Sequence, residues 1–299
     1  MTDMPTPGQP ETLAPGFRRI LAPNPSPLTY WGTNSFLVGE GDVTLVDPGP
    51  NDPVHLAALI AALAPGERIA QIVVTHAHTD HSPGARPLSE TTGAPVLAFG
   101  DALTGRSETM QRLAAEGLAA GGEGLDLDFQ PDVRLADGER FNAGGLELET
   151  LWTPGHSAAH ICLASGDTIL TGDHVFGWAS TFISPPDGDL TAFMQSCEKL
   201  LARAPKCLLP AHGNPIDDPQ ARLTWLMDHR RAREAQLLAA LAKPGTARAL
   251  TARVYTDIDP AMLPAAERNL FAHLIDLTTR GKVTAHPHLT PTATFSRAE

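Results

Sequence analysis

The segment Thr75 to Gly84, THAHTDHSPG, constrains this chain more than any other, because four potential metal ligands, His76, His78, Asp80 and His81, fall within six positions. The preceding run, QIVVT, is apolar and reads as a buried strand. Imidazoles and a carboxylate crowded at the end of such a strand must each find a proton, a hydrogen bond or a metal ion. His76 and His78 alternate along an extended segment, so both can face one point, while Asp80 and His81 fall at a turn into the next element. Adjacent side chains point differently from that first pair, an arrangement that suits two neighbouring ions better than one.

Further ligand types stand after other apolar runs: TPGH supplies His156, TGDH supplies Asp173 and PAHG supplies His212. An HxHxDH segment followed by a lone His, a Gly-Asp and a final His resembles the metallo-β-lactamase superfamily, over about residues 30 to 215. The resemblance implies an α/β fold, an αβ/βα sandwich with metals between the edges of two sheets. It implies that His76, His78 and His156 hold a first ion, that Asp80, His81 and His212 hold a second, and that Asp173 bridges them, with Asp80 and Asp173 the candidate catalytic carboxylates. Asp47 in LVDPG resembles the family's first acidic motif, which orients the histidine loop from behind, its alternative being a turn-forming Asp-Pro. Two divalent ions lower the pKa of a shared water, so that hydroxide can attack an electrophilic carbonyl or phosphorus without a side-chain nucleophile. Nitrogen and carboxylate ligands without thiolate suit zinc best, with manganese or iron also acceptable. His160 and His174, close to the ligands in sequence, stay outside the ligand set; both read as buried structural histidines, with substrate contact or proton shuttling the alternative.

The rest of the chain reads as a layered protein. TNSFLVGEGDVTLVDPG from Thr33 reads as a hairpin, PVHLAALIAALAP as a helix, and RIAQIVVTH and APVLAFG as strands. ETMQRLAAEGLAAGG reads as a helix or helical insert, and LELETLWTPGH, HICLAS and TILTGD as further strands. Gly177 to Asp189, GWASTFISPPDGD, can lie over the metals with Trp178 and Phe182, and Tyr30 and Trp31 precede the hairpin where the family's cleft is flanked; core roles for all four stay open. A long helix is expected from Pro219 to Lys243, ended by Pro244-Gly245. ARALTARVYT and MLPAAERNLFAHLIDLTTRG then look helical, and KVTAHPHLTPTATF alternates as a short hairpin, which is a winged-helix order. The domain reading is an N-terminal extension over 1–28, the lactamase-like domain over 29–215, and the linking helix with the winged helix over 216–299.

That tail resembles the branch of lactamase-like hydrolases with a C-terminal winged helix, some of which cut single-stranded RNA while others hydrolyse thioesters. Glyoxalase II, by contrast, ends in an all-helical tail. The N-terminal run lacks a basic region followed by an apolar one, and no stretch approaches a membrane span, so a soluble, cytoplasmic protein is expected, which argues against a β-lactam as its substrate. Cys162, Cys197 and Cys207 are odd in number and lack CxxC spacing, supporting neither a disulfide framework nor a thiolate zinc site. Residues 1–215 carry 11 Lys+Arg against 25 Asp+Glu, a balance of −14, while 216–299 carry 11 against 9. An acidic body with a near-neutral tail argues against duplex DNA as a partner. The expected substrate is a small acyl compound, as a thioester or ester, or a short single-stranded RNA; no feature assigns an oligomeric state. The competing reading is a nucleic-acid-binding winged-helix regulator with a structural metal site. A redox di-iron protein would call for Glu among the ligands and a flavin partner, and neither is visible.

Overall fold

A computed structural model describes residues 4–119, 121 and 124–298. Strands β1 (Pro10–Ala14), β2 (Phe17–Leu21), β3 (Asn34–Val38) and β4 (Asp42–Val46) are followed by helix α1 (Pro53–Ala61), β5 (Arg68–Val73), α2 (Ala85–Thr92), β6 (Val96–Ala98), α3 (Glu108–Ala115) and β7 (Val133–Arg134). These seven strands form one sheet in chain order, antiparallel from β1 to β4 and parallel from β4 to β7. Strands β8 (Arg140–Ala143), β9 (Leu146–Trp152), β10 (Ile161–Ser165), β11 (Thr168–Gly172) and β12 (Cys207–Pro210) build a second sheet in the order β12-β11-β10-β9-β8, with α4 (Leu190–Ala202) between its last two strands in sequence. The chain continues through α5 (Pro219–Ala240), α6 (Ala247–Val254), α7 (Leu263–Thr279) and the antiparallel hairpin of β13 (Val283–His286) and β14 (Thr294–Arg297).

The strands read as apolar runs because both of their faces are buried. In β3, Phe36 and Val38 point into the layer between the sheets, while Leu37 points outward into the cluster under α1 and α2. In β10, Ile161 and Leu163 point inward, while Cys162 and Ala164 pack outward with Phe193 and Leu200 of α4 and Leu223 and Leu226 of α5. The result is four layers, helix, sheet, sheet, helix. A separate cluster unites Leu237 and Leu241 with Leu250 of α6, Leu270 and Leu274 of α7, and Phe295 of β14, and takes in Met110 and Leu113 from α3.

Residues 10 to 21, assigned from sequence to an extension, pair instead as the outer strands of the first sheet; residues 1–3 lie outside the described residues. α3 ends at Ala115 rather than running to Gly122, because Gly117 takes a left-handed φ of +94°; residues 120 and 122 of that stretch lie outside the described residues. α5 starts as expected, with Asp218 capping it and Pro219 in its first turn, and stops at Ala240. All three cysteines are free, and burial pushes the Cys162 thiol up to about 12. Among the described residues, no helix is long and apolar enough to cross a membrane.

Candidate metal centre

Every expected ligand stands at the end of a strand. The loop after β5 carries His76, His78, Asp80 and His81; His156 follows β9, Asp173 directly follows β11 and His212 follows β12. All seven are buried. They form two groups, His76, His78, His156 and Asp173 in one and Asp80, His81 and His212 in the other, with donor atoms within 4.8 Å of one another in each. In the first group His78 Nδ1 lies 3.0 Å from both His76 Nε2 and His156 Nε2. In the second, Asp80 Oδ2 lies 3.2 Å from both His81 Nε2 and His212 Nε2. Asp173 divides its oxygens between them: Oδ2 is 3.5 Å from His156 Nε2 and 4.0 Å from His76 Nε2, and Oδ1 is 3.3 Å from both His81 Nε2 and His212 Nε2.

These distances fit metal ligands. A tetrahedron of ligands about 2.0–2.1 Å from zinc has edges of roughly 3.3–3.4 Å. The buried atoms His81 Nε2, Asp173 Oδ1 and His212 Nε2 converge with Asp80 Oδ2 at 3.2–3.3 Å, an arrangement that an ion between them would satisfy.

The outer ring nitrogens explain which tautomers the site uses. His156 Nδ1 donates to the Phe182 carbonyl at 2.9 Å and His212 Nδ1 to the Gly32 carbonyl at 3.0 Å. His81 Nδ1 lies 3.0 Å from Asp47 Oδ2, which can only accept. The Thr75 hydroxyl donates to Asp47 Oδ2 at 2.8 Å, so its oxygen is left to accept from His76 Nδ1 at 3.0 Å. In all four rings Nδ1 carries a proton and Nε2 is the nitrogen turned inward. Asp47 also accepts from the Thr75 backbone N–H at 2.7 Å, and its left-handed φ of +50° turns the carboxylate toward the loop. Thr33 Oγ1 donates to Asp80 Oδ2 at 3.1 Å.

Burial and the neighbouring imidazoles drive His78 down to about 3 and hold His76 well below its ordinary value. His156 is lowered, chiefly by burial. In the second group burial also disfavours charge, but the carboxylates outweigh it: Asp173 and Asp80 push His212 up to about 10, and Asp80, Asp173 and Asp47 raise His81. Both carboxylates are correspondingly lowered, His81 and His212 overcoming the cost of burying them. Before any metal binds, one group is therefore neutral imidazole and the other carries protons.

His160 lies within the site's frame, with Nδ1 3.0 Å from Thr153 Oγ1 and Nε2 accepting the Asp173 backbone N–H at 3.1 Å. It holds the strand end that presents Asp173. Gly172 makes this approach possible, since a Cβ there would lie 2.6 Å from His160 Nε2. His174 is buried beside Cys197, with Nε2 3.5 Å from the sulfur, and burial drives it down to about 3.

The segment from Gly177 to Asp189 touches the centre through the Phe182 carbonyl, which accepts from His156 Nδ1. Phe176 lies 5.5 Å from the His212 ring, Trp178 stacks 5.9 Å from Phe176, and Tyr30 stacks between Trp178 and Trp31 at 4.7 and 4.6 Å. Four arginines grip this segment: Arg222 reaches the carbonyls of Phe176 and Ala179, Arg230 that of Thr181, Arg268 the Ser184 hydroxyl and the Pro185 carbonyl, and Arg106 the Asp187 carboxylate. Sequence reasoning missed these arginines, together with Thr33, Thr75 and the two carbonyl acceptors. The four arginines come from α5, α7 and the segment before α3, and no local motif links them to the ligands.

The fold and these two ligand groups agree with what the chain is similar to. The metallo-beta-lactamase superfamily profile matches residues 28–212, and a beta-lactamase associated winged helix domain matches residues 246–288. The chain belongs to the metallo-β-lactamase superfamily and is a hydrolase with a C-terminal winged helix. It is 30% identical over 277 residues to a beta-lactamase-like protein 2 homolog of Drosophila melanogaster, covering 89% of this chain and 88% of the relative. It is 28% identical over 238 residues to an atrochrysone carboxyl ACP thioesterase of Aspergillus fumigatus, covering 77% of this chain and 66% of that one. A metallo-beta-lactamase family protein from Thermus thermophilus superposes with a TM-score of 0.75 at 25% identity, covering 96% of this chain and all of its own.

Proposed function

We propose that this protein is a dinuclear metal hydrolase of acyl thioesters, with zinc the metal its donor set suits best. The observation that carries the reading is Asp173, whose two oxygens divide between the two ligand groups as a bridging carboxylate does. His76, His78 and His156 hold one ion, and Asp80, His81 and His212 the other. Divalent ions in such a site supply Lewis-acid polarisation of a carbonyl and a nucleophile drawn from water at neutral pH. The chain supplies the rest. The Nδ1 hydrogen bonds to Phe182, Gly32, Thr75 and Asp47 fix the imidazoles. Asp80, steadied by Thr33 through Oδ2, keeps Oδ1 without a partner among the described residues, so that it can accept a hydrogen bond from the attacking water and orient it. Water gives its oxygen to the acyl carbon and the C–S bond breaks; one proton goes to the departing thiolate and one to solvent.

Two observations favour an acyl substrate over RNA. One relative is named as a thioesterase, and the arginines around segment 177–189 are already committed to protein carbonyls and carboxylates. The regulator reading fares poorly, because α7 is buried from Leu270 through Leu277 and offers a duplex groove little free surface. Three free cysteines, two of them buried, fit a reducing compartment, and we place the protein in the cytoplasm. The test is zinc-reconstituted protein assayed against acyl thioesters and single-stranded RNA. Thiol release that disappears with chelation supports the reading, and RNA cleavage without thiol release contradicts it.

A further inference from the structure

Beside the ligand groups lies a cavity of 280 Å³ between segment 177–189 and the winged helix. Phe176, Phe182 and Leu28 line one side, and Ile258, Met262 and Ala266 the other. Among the described residues, no carboxylate, ammonium or guanidinium lines it. Its wall is shared with both ligand groups, since Phe176 packs 5.5 Å from the His212 ring and the Phe182 carbonyl accepts from His156 Nδ1 at 2.9 Å. Its polar lining is uncharged: Ser180, Thr181, Tyr255, Asn269 and the Trp178 indole also border it, with the Thr181 hydroxyl donating to the His174 carbonyl and Asn269 Oδ1 taken by Arg230.

We propose that this cavity holds the apolar acyl arm of the substrate, so that the winged helix builds half of the specificity pocket. This rests on the thioester hydrolase reading above. A carbonyl placed over the ligand groups sends its chain along Phe176 and Phe182 toward α7 and leaves the thiol portion outside. The volume lies just below the range of about 300–1,000 Å³ common for small-molecule pockets, which fits a short alkyl or single aryl arm and excludes a polynucleotide. The segment between α6 and α7, which carries Ile258 and Met262, thereby becomes a substrate wall, and changes there retune the acyl group accepted without touching a ligand.

The test is a series of N-acetylcysteamine thioesters, acetyl through decanoyl, assayed on the zinc-loaded full chain, with affinities for the matching non-hydrolysable S-alkyl thioethers measured by calorimetry. Wild-type kcat/KM is expected to rise about fourfold per methylene, the worth of burying one CH₂, and to level off once the cavity is full. Ala266→Phe and Ile258→Trp fill the space and should lower the hexanoyl-to-acetyl ratio at least tenfold at unchanged metal content. Ile258 is half-buried, so its variant is read alone if Ala266→Phe fails to fold. Turnover that ignores chain length, or variants that keep the wild-type slope, would overturn the pocket and leave the hydrolase standing. Thioether affinity that climbs with chain length and falls in both variants, without turnover of any thioester, would uphold the pocket and overturn the hydrolase reading.

Discussion

The Phe182 carbonyl accepts a 2.9 Å hydrogen bond from His156 Nδ1, and through it a site-facing imidazole is tied to a segment gripped from the far side by Arg230. Arg230 is fully buried in α5, donates to Asn269 Oδ1 at 2.8 Å and to the Thr181 carbonyl, and lies over the Phe193 ring at 5.5 Å. The C-terminal helices thus brace the first ligand group by a chain of contacts, from Arg230 through Thr181 and Phe182 to His156.

Replacing Arg230 with Met keeps most of the packing and removes the brace. Each buried acceptor left unpaired costs about 1–3 kcal/mol, so chemical denaturation should show a loss of that order or twice it. Metal retention against a chelator should fall as well. A variant with lowered stability and unchanged metal retention would show that the brace does not reach His156.

His160 belongs to neither ligand group, yet it accepts the Asp173 backbone N–H. His160→Ala should keep the seven ligands and lose roughly 10–100-fold in metal affinity or kcat, as supporting residues of metal sites do. Equilibrium metal titration and steady-state kinetics on the same preparation check this.

Metal binding should release protons from one group and hardly any from the other. His76, His78 and His156 are neutral in the metal-free protein because burial lowers them, so ions meet free lone pairs there across neutral pH. His212, raised to about 10, and His81, also raised, hold protons that an ion must displace. Affinity of the second group therefore falls as pH falls below those raised values, while the first stays nearly flat near neutrality. Calorimetry in buffers of different ionisation heat should show proton release concentrated in one of two binding steps.

How far the sequence carries varies with the kind of signal. The seven candidate ligands could be picked out because each His or Asp follows an apolar run in the HxHxDH, TPGH, TGDH and PAHG segments, and the structure brings them together in two groups that could hold metal ions. Their supports were not: Gly32 and Phe182 act through backbone carbonyls, which have no residue signature. Strands β1 and β2 were missed because Glu11, Arg18 and Arg19 break the apolar pattern of an edge, although Arg19 is buried and bonds the Gly213 carbonyl beside His212 at 3.0 Å. Helix α4 was missed because Asp189, its cap, sits inside a proline-rich segment that reads as loop.

Asp173→Ala should leave the fold largely intact, since the residue ends a strand and contributes no apolar packing. As the proposed bridge it would leave both ions one ligand short, so turnover should vanish and metal content should drop. Near-normal activity in the purified, folded variant would show that Asp173 is not the bridge.

The central claim is that these seven residues hold two ions, and the most direct measurement is elemental analysis of the full chain after zinc reconstitution and removal of loose metal. About two ions per chain are expected, falling to about one when His212→Ala dismantles the second group. One ion or none in the wild-type protein, or two ions retained by His212→Ala, would contradict the account.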